Sequence, residues 1–161
     1  MNEAQKLAFE LRLVELDKIA SENADLSGCL LSACSSHNPV ATKQTEVIQF
    51  LIDSRVSVCE TDKNGVTPLH RAVRFRSLSA VKLLLAAGAD VNTFDRRTHS
   101  TALHRAVTNS GAPSTAGKMD TAIAIVRLLL KYGADPNARN KKGKTPADYR
   151  MSAEMSAEFC H

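Results

Sequence analysis

Two histidines in near-identical surroundings are the first residues of this chain that could do chemistry. His70 closes the segment Thr67–His70 (TPLH), and His104 closes the segment Thr101–His104 (TALH), 34 residues later. A neutral imidazole can act as a general base or bind a metal ion. Recurrence at one position of a repeated segment instead favours a role in folding, because a buried imidazole needs fixed hydrogen-bond partners.

The other candidate side chains give no recognisable catalytic arrangement. Asp90 and Asp135 each precede an asparagine by two positions after a glycine, a context typical of turns rather than of a carboxylate pair. His37, His99 and His161 lack the spacing of metal ligands. The chain also contains neither of the familiar glycine-rich phosphate-binding loops. The sequence therefore predicts no enzyme activity, no metal site and no cofactor.

Cysteine usage and hydropathy indicate where such a chain resides. The 4 cysteines include no C-x-x-C pair, so neither a disulfide framework nor a zinc site is expected. Cys29, Cys34 and Cys59 fall at apolar positions and are predicted to fill the core. No apolar run is long enough to cross a bilayer, and the polar start of the chain is not a secretory signal. We expect an intracellular protein, cytoplasmic or nuclear, with no membrane association.

The histidines must be positioned by a pair of helices that recurs along the chain. Thr67 can cap the first helix, and Pro68 suits its first position, where no N–H is needed. Ser79 can cap a second helix, whose apolar face is VKLLL, and Gly88 stands at its C-terminal stop. The same order returns as TALHRAV, VRLLL and Gly133. A unit of this kind cannot bury both of its helical faces, so neighbouring units must stack.

These motifs resemble the ankyrin repeat, whose signature is a period of 33 residues with T-P-L-H-x-A. The resemblance implies an all-α solenoid of stacked helix–turn–helix units joined by β-hairpin-like loops. It also implies that the motif histidine bonds to the backbone of the neighbouring connection. The residues that match the structural motif are Thr67, Pro68, His70, Gly88, Thr101, His104, Gly133, Thr145 and Pro146.

The whole chain is predicted to form one repeat domain of 161 residues. Residues 62–94 and 95–139 match the repeat well, residues 26–61 form a degenerate unit, and residues 140–161 form a truncated unit with a cap. Residues 1–25 are predicted to be an N-terminal cap, in which Glu3–Ser21 forms one long helix or two short ones. Met151–Phe159 is predicted to be a closing helix.

Two insertions separate the helices of a unit, at residues 35–45 and 109–120. The distance from Leu69 to Val81 is 12 positions, whereas the distance from Leu103 to the equivalent Val126 is 23 positions. The glycine, proline, serine and threonine content of the second insertion indicates a loop or a lengthened helix end. A tolerated surface insertion is favoured over a binding role.

In ankyrin repeats, the hairpin tips and the exposed face of the first helix form a concave surface that binds partners. The matching partner-binding positions here are Lys63, Asn64, Val66, Arg74, Phe75, Arg96, Arg97, His99, Thr108, Lys141 and Lys142. Further matching positions are Arg71, Arg76, Arg105, Asn109, Arg139, Asn140 and Lys144. Together they hold 11 of the 21 lysines and arginines, beside Phe75 and Phe94 as candidate apolar anchors.

This charge predicts a monomeric protein-binding module whose partner is a protein or peptide with an acidic segment. The alternative without a binding role is that the hairpin cations are merely solvated, or that Arg71 and Arg105 lie across the stack on their aliphatic stems. Nucleic acid is a second candidate partner, because the pI is near 9, but 4% aromatic content without tryptophan leaves few stacking platforms. Inhibition or regulation of a partner enzyme is a third alternative.

Overall fold

The computed structural model describes residues 1–36, 41–108, 119–149 and 153–159, and these ranges contain helices and no extended strand. The elements in chain order are α1 (Glu3–Glu10), α2 (Leu13–Ser21), α3 (Cys29–Ala33), α4 (Ala41–Asp53), α5 (Pro68–Arg74), α6 (Leu78–Ala86), α7 (Ala102–Val107), α8 (Met119–Lys131), a 3-10 turn (Pro146–Asp148) and α9 (Ala153–Ala157). The predicted all-α class is confirmed.

The helices form two layers, because each unit stacks on the next. In the first layer α1, α3, α5, α7 and the 3-10 turn pack in that order, and in the second layer α2, α4, α6, α8 and α9 do so. The N-terminal pair therefore extends both layers, and it consists of two short helices rather than one long helix. The first of them, α1, ends at Glu10, and the residue that caps it, Leu11, has a left-handed φ of 57°.

Threonine caps start the first-layer helices of the two well-matched units. Thr67 accepts a hydrogen bond from the His70 backbone N–H, and Thr101 accepts the same bond from His104. Pro68 begins α5, where its fixed φ and missing N–H suit the first helical position. Gly88 follows α6 with a φ of 87°, a conformation that a residue without a side chain adopts at little cost.

The predicted cap of the second helix is wrong by two residues. α6 begins at Leu78, so the residue before it is Ser77 and not Ser79. The Ser77 hydroxyl donates to Gln44 of the preceding unit rather than capping α6, and Ser79 is exposed in the first turn. The predicted apolar face holds, since Val81, Leu84 and Leu85 are buried.

One continuous core runs between the two layers. It includes Leu69 and Leu103 from the first layer and Leu84 and Leu129 from the second, all almost completely buried. Cys29 and Cys34 also lie in the core, whereas Cys59 is exposed and the prediction that it fills the core is wrong. No helix in the described ranges combines the length and apolar character needed to cross a membrane.

The two predicted insertions fall only partly within the described residues. In the first, residues 41–45 belong to the start of α4, and residues 37–40 lie outside the described ranges. In the second, Met119 and Asp120 begin α8, and residues 109–118 lie outside them. α8 has 13 residues against 9 in α6, so the second insertion is in part a lengthened helix start.

Candidate functional site

Three short hairpins project from the stack, one before each first-layer element from α5 onward. A backbone hydrogen bond closes each hairpin, from Asp62 N–H to Val66 O, from Asp95 N–H to Ser100 O, and from Asn140 N–H to Lys144 O. We call the turns at their ends the first tip (residues 63–65), the second tip (residues 96–99) and the third tip (residues 141–143). The three tips contain basic and polar residues and no aspartate or glutamate.

The motif histidines connect each unit to the next hairpin. The His70 Nδ1 accepts the Thr67 backbone N–H, at 3.2 Å, so the proton of the neutral ring lies on Nε2. That Nε2 lies 3.1 Å from the Ser100 carbonyl oxygen of the following hairpin, to which it donates. His104 repeats this arrangement toward the Lys144 carbonyl oxygen, at 3.0 Å. Both rings thus donate to the carbonyl at the base of the next hairpin.

The surroundings of His70 keep its ring neutral. Burial, together with a smaller effect of the nearby Arg105 guanidinium, lowers the pKa of the imidazole to about 4. The Ser100 carbonyl and the carboxylates of Asp95 and Asp62 raise the pKa, but by less. A ring with this pKa is uncharged at neutral pH, as its role as a single donor and single acceptor requires.

A carboxylate at the base of each inner hairpin is tied to an arginine of the helix that follows. Arg71 donates to Asp62 at 2.8 Å, and Arg105 donates to Asp95 at 3.0 Å. Burial alone would raise the pKa of Asp95, but hydrogen bonds from Thr98 and Arg105 outweigh it and lower the pKa to about 2. These two arginines therefore hold the hairpins and are not free to bind a partner.

The tips are also joined directly to one another. The Arg96 backbone N–H donates to the Asn64 carbonyl oxygen at 2.8 Å, and the Lys141 N–H donates to the Thr98 carbonyl oxygen at 2.9 Å. The Lys141 ammonium reaches back to the Arg96 carbonyl oxygen at 2.6 Å. The three tips consequently form a continuous row, in which the second tip touches both of its neighbours.

Each tip carries at least one exposed cation that has no partner among the described residues. Lys63, Arg97 and Lys142 are exposed, and their side chains make no hydrogen bond or ion pair within those ranges. Arg96 is exposed beside Gly65, so four cationic side chains with no bonded acceptor, together with Lys141, face solvent along the row. We call Lys63, Arg96, Arg97, Lys141 and Lys142 the basic tip row.

Several predicted partner-binding residues lie elsewhere. Val66 is only 7% exposed and belongs to the buried base of the first hairpin, so it offers no surface to a partner. Arg74 is exposed, with its guanidinium 6.0 Å from the centre of the Phe75 ring, and Phe75 is half-buried. Thr108 is half-buried at the end of α7. The remaining predicted position, Asn64, is exposed in the first tip.

His99 is stacked on a neighbouring aromatic ring. Its centroid lies 3.8 Å from that of Phe94, which is 50% exposed and is the candidate anchor from the sequence. The His99 Nδ1 is 3.4 Å from the Arg139 carbonyl oxygen. This pair of rings therefore lies at the second tip, on the side of the third hairpin, and we call it the ring platform.

Arg76, predicted from its position to be exposed, is 7% exposed. Its guanidinium donates to the carbonyl oxygens of Ala106, at 2.5 Å, and Thr108, at 2.9 Å, at the end of α7 in the next unit. A cation is favourable at the C-terminal end of a helix, where unpaired carbonyls concentrate negative charge. Its φ of 56° is left-handed. The only sequence signal for this role is an arginine at the turn between two helices.

The described residues offer no group that could bind a metal, since no three or more histidine, cysteine, aspartate or glutamate side chains converge within them. Burial, with smaller contributions from the Glu60 and Asp25 carboxylates, raises the pKa of the Cys29 thiol to about 12. Burial also raises the pKa of Cys34. Both thiols are therefore protonated at neutral pH and poor nucleophiles.

Comparison with known proteins places the repeat in a family. The family model "Ankyrin repeats (3 copies)" matches residues 30–140. The chain is 31% identical to rabankyrin-5 of Mus musculus over 109 residues, which span 68% of this chain and 9% of that protein. It is 32% identical to a Saccharomyces cerevisiae protein named "Probable 26S proteasome regulatory subunit p28" over 124 residues, 76% of this chain and 50% of that protein.

A third relative, the ARF GTPase-activating protein GIT2 of Mus musculus, is 39% identical over 89 residues, which span 55% of this chain and 11% of that protein. The chain thus spans at most half the length of these three relatives.

Proposed function

Because this chain belongs to the ankyrin-repeat family, whose repeats generally mediate protein–protein interaction, we propose that it is a non-catalytic module that binds an acidic segment of a partner protein through its basic tip row. The repeat scaffold supplies rigidity, and the side chains that the scaffold does not use supply recognition. The relatives differ widely in their printed names and share the repeat region, which supports a binding role for that region.

The observation that carries this proposal is that some cations on the hairpin side are bonded within the fold, whereas others are not. Arg71 and Arg105 are bound to hairpin carboxylates, and Arg76 is bound to carbonyls. Lys63, Arg97 and Lys142 project from the tips without such partners in the described residues. Cations that do not contribute to folding leave a positive potential, which attracts an acidic partner and speeds its encounter.

The proposal is tested by selection from a display library of random short peptides. Wild-type protein should enrich peptides of net negative charge, and a variant with Arg96→Glu and Arg97→Glu should lose that enrichment. A variant with Lys82→Glu and Lys131→Glu, two exposed positions on α6 and α8, carries the same change of net charge and should keep it. Enrichment of neutral or basic peptides by the wild type would contradict the proposal.

The same proteins address the nucleic-acid alternative. Binding to single-stranded DNA that falls steeply with salt and shows no sequence preference would favour phosphate neutralisation. The described residues offer one exposed ring platform near the tips, and nonspecific binding of single strands relies on several such platforms in succession. We therefore propose a protein partner in preference to nucleic acid.

A further inference from the structure

We infer that Arg96 is the side chain of the basic tip row that determines its preference for a carboxylate, and that Gly65 of the preceding hairpin positions it. This inference rests on the proposed function and adds to it which cation recognises the partner. Two features of the structure support it, namely the close contact between Arg96 and Gly65 and the hydrogen bonds that fix the backbone of Arg96.

The stem of the Arg96 side chain lies over the backbone of the first tip. Gly65 has a φ of 70°, and a Cβ atom added to it would lie 2.9 Å from the Arg96 Cγ and 3.6 Å from the Arg96 Cδ. The first of these distances is too short for a real side chain. Gly65 is accordingly buried, although Lys63 and Asn64 in the same tip are exposed. A residue without a side chain at position 65 therefore makes room for the Arg96 stem.

The third tip has a glycine in the same conformation without such a contact. Gly143 also has a φ of 70°, but it is exposed. A Cβ atom added to it would meet nothing within 4 Å among the described residues, apart from its neighbours in the chain. A positive φ alone favours glycine at both positions. The close approach of Arg96 is a separate feature of Gly65, and Gly143 provides a matched control for it.

The backbone of Arg96 is fixed by both neighbouring tips. Its N–H donates to the Asn64 carbonyl oxygen at 2.8 Å, and its carbonyl oxygen accepts from the Lys141 ammonium at 2.6 Å. The Arg96 side chain is nevertheless exposed, and its guanidinium has no bonded acceptor among the described residues. Arg96 thus combines a backbone and a stem that the fold holds with a head group that the fold leaves free.

This combination favours recognition of a carboxylate. Ordering a flexible side chain opposes association, and a side chain whose stem is already held loses less freedom on binding. A guanidinium also donates two parallel hydrogen bonds to a carboxylate, whereas the ammonium of a lysine acts as a point charge. Arg97 has the same head group, but the atoms nearest to Gly65 belong to Arg96. The two arginines therefore separate the effect of the contact from that of the head group.

Charge-conserving variants test the part assigned to Arg96. Binding of fluorescein-labelled octaglutamate is measured by fluorescence polarisation at low ionic strength for wild type, Arg96→Lys and Arg97→Lys, which have the same net charge. We expect Arg96→Lys to weaken binding about tenfold and Arg97→Lys about twofold or less. Equal losses in the two variants would overturn the part assigned to Arg96 and leave the acidic-partner function standing.

A double-mutant cycle tests the part assigned to Gly65. Gly65→Asn and Gly143→Asn each place a side chain at a φ of 70°, which asparagine tolerates, but only the first displaces the Arg96 stem. Gly65→Asn should weaken octaglutamate binding severalfold, and Gly143→Asn should leave it near the wild-type affinity. In a protein that already carries Arg96→Ala, Gly65→Asn should have no further effect, because the stem that it displaces is absent.

The remaining outcomes separate the positioning role from the proposed function. If Gly65→Asn weakened binding by the same factor with and without Arg96→Ala, it would act by distorting the hairpin, and the positioning role would be overturned. If wild type did not bind octaglutamate, the acidic-partner function and this inference would both be overturned. The same conclusion would follow if the variant with Arg96→Glu and Arg97→Glu bound octaglutamate as tightly as wild type does.

Discussion

The two inner hairpins and the last one share a backbone shape, but different side chains support them. In the inner hairpins, an aspartate at the base pairs with an arginine, and a histidine three residues after the threonine cap braces the next hairpin. In the last hairpin, Asn140 donates to the hydroxyl of Tyr149 at 2.7 Å. Asp148 takes the position of the histidine and, within the described ranges, accepts hydrogen bonds from Thr145 alone.

The difference shows what the histidine needs. His70 and His104 each donate to a carbonyl that belongs to the following hairpin, so the ring can be buried with both nitrogens satisfied. No later carbonyl faces Asp148 in the part of the chain that the structure describes, and its carboxylate is exposed and bonds locally. Among the described residues, the histidine therefore occurs at the two positions where a carbonyl of a following hairpin accepts from it.

The largest expected contrast is between His70→Ala and Asp148→Ala. Removing the His70 ring leaves a cavity and a buried Ser100 carbonyl without that donor, so we expect to lose roughly 3–5 kcal/mol of unfolding free energy. Asp148→Ala removes only a local capping interaction at the exposed surface, so it should destabilise the protein much less. Urea unfolding followed by circular dichroism measures both, and equal losses would show that the two positions do the same work.

Acid should destabilise the inner units through His70. Its folded pKa of about 4 lies below the unfolded value of 6.5, so the unfolded chain binds more protons between these pH values. The contribution of His70 is complete above pH 6.5 and falls by about 3 kcal/mol as the pH drops to about 4. His70→Gln keeps a donor for Ser100 but does not titrate, so its stability should fall less over this window. If the unfolding free energies of wild type and His70→Gln fell in parallel over this pH window, His70 would not be the group responsible.

Substitutions at the bases of the second and third hairpins should show a smaller difference in the loss of unfolding free energy. Arg105→Met leaves the buried Asp95 carboxylate without its counter-charge, although the Thr98 bonds remain, and should cost roughly 2 kcal/mol. Tyr149→Phe removes one neutral hydrogen bond to Asn140 and should cost about 1 kcal/mol. Thermal unfolding of the two variants and of wild type shows which substitution destabilises the protein more. A larger loss in Tyr149→Phe would reverse the comparison.

The smallest expected effects on folding are in the tips. Lys63→Ala, Arg97→Ala and Lys142→Ala should each change the free energy of unfolding by less than about 0.5 kcal/mol, because these side chains contact nothing that the fold requires. Chemical denaturation of the single variants checks this. A substantial loss in any one of them would show that its cation belongs to the scaffold rather than to recognition.

The sequence predicts local features well because local contacts determine them. Thr67 and Thr101 cap their helices where the motif indicated, and the apolar faces of the second-layer helices are buried as expected. The errors arise where a distant residue decides the outcome. Ser77 is positioned by Gln44 of the preceding unit, and Arg76 is buried because carbonyls of the following unit accept from it. Neither partner is visible from the spacing within one unit.

The same distinction applies to the candidate surface. Residue types predicted that cations would gather on the hairpin side, but not which of them would be taken up by the fold. Arg71 and Arg105 are held by carboxylates nine and ten residues earlier, and the exposed Lys63 lies beside one of these carboxylates in sequence. Val66 lies next to an exposed tip and is nevertheless buried. The choice depends on side-chain direction in the folded hairpin, which composition does not encode.

The most direct test of recognition by the tips is a titration monitored by the backbone amide signals of the isotope-labelled protein. The ligand is an acidic peptide selected from the library, added to wild type. The account predicts that the largest chemical-shift changes occur in residues 63–65, 96–99 and 141–143, with little change in α2, α4 and α6. Largest changes in those helices, with the tips unaffected, would contradict it.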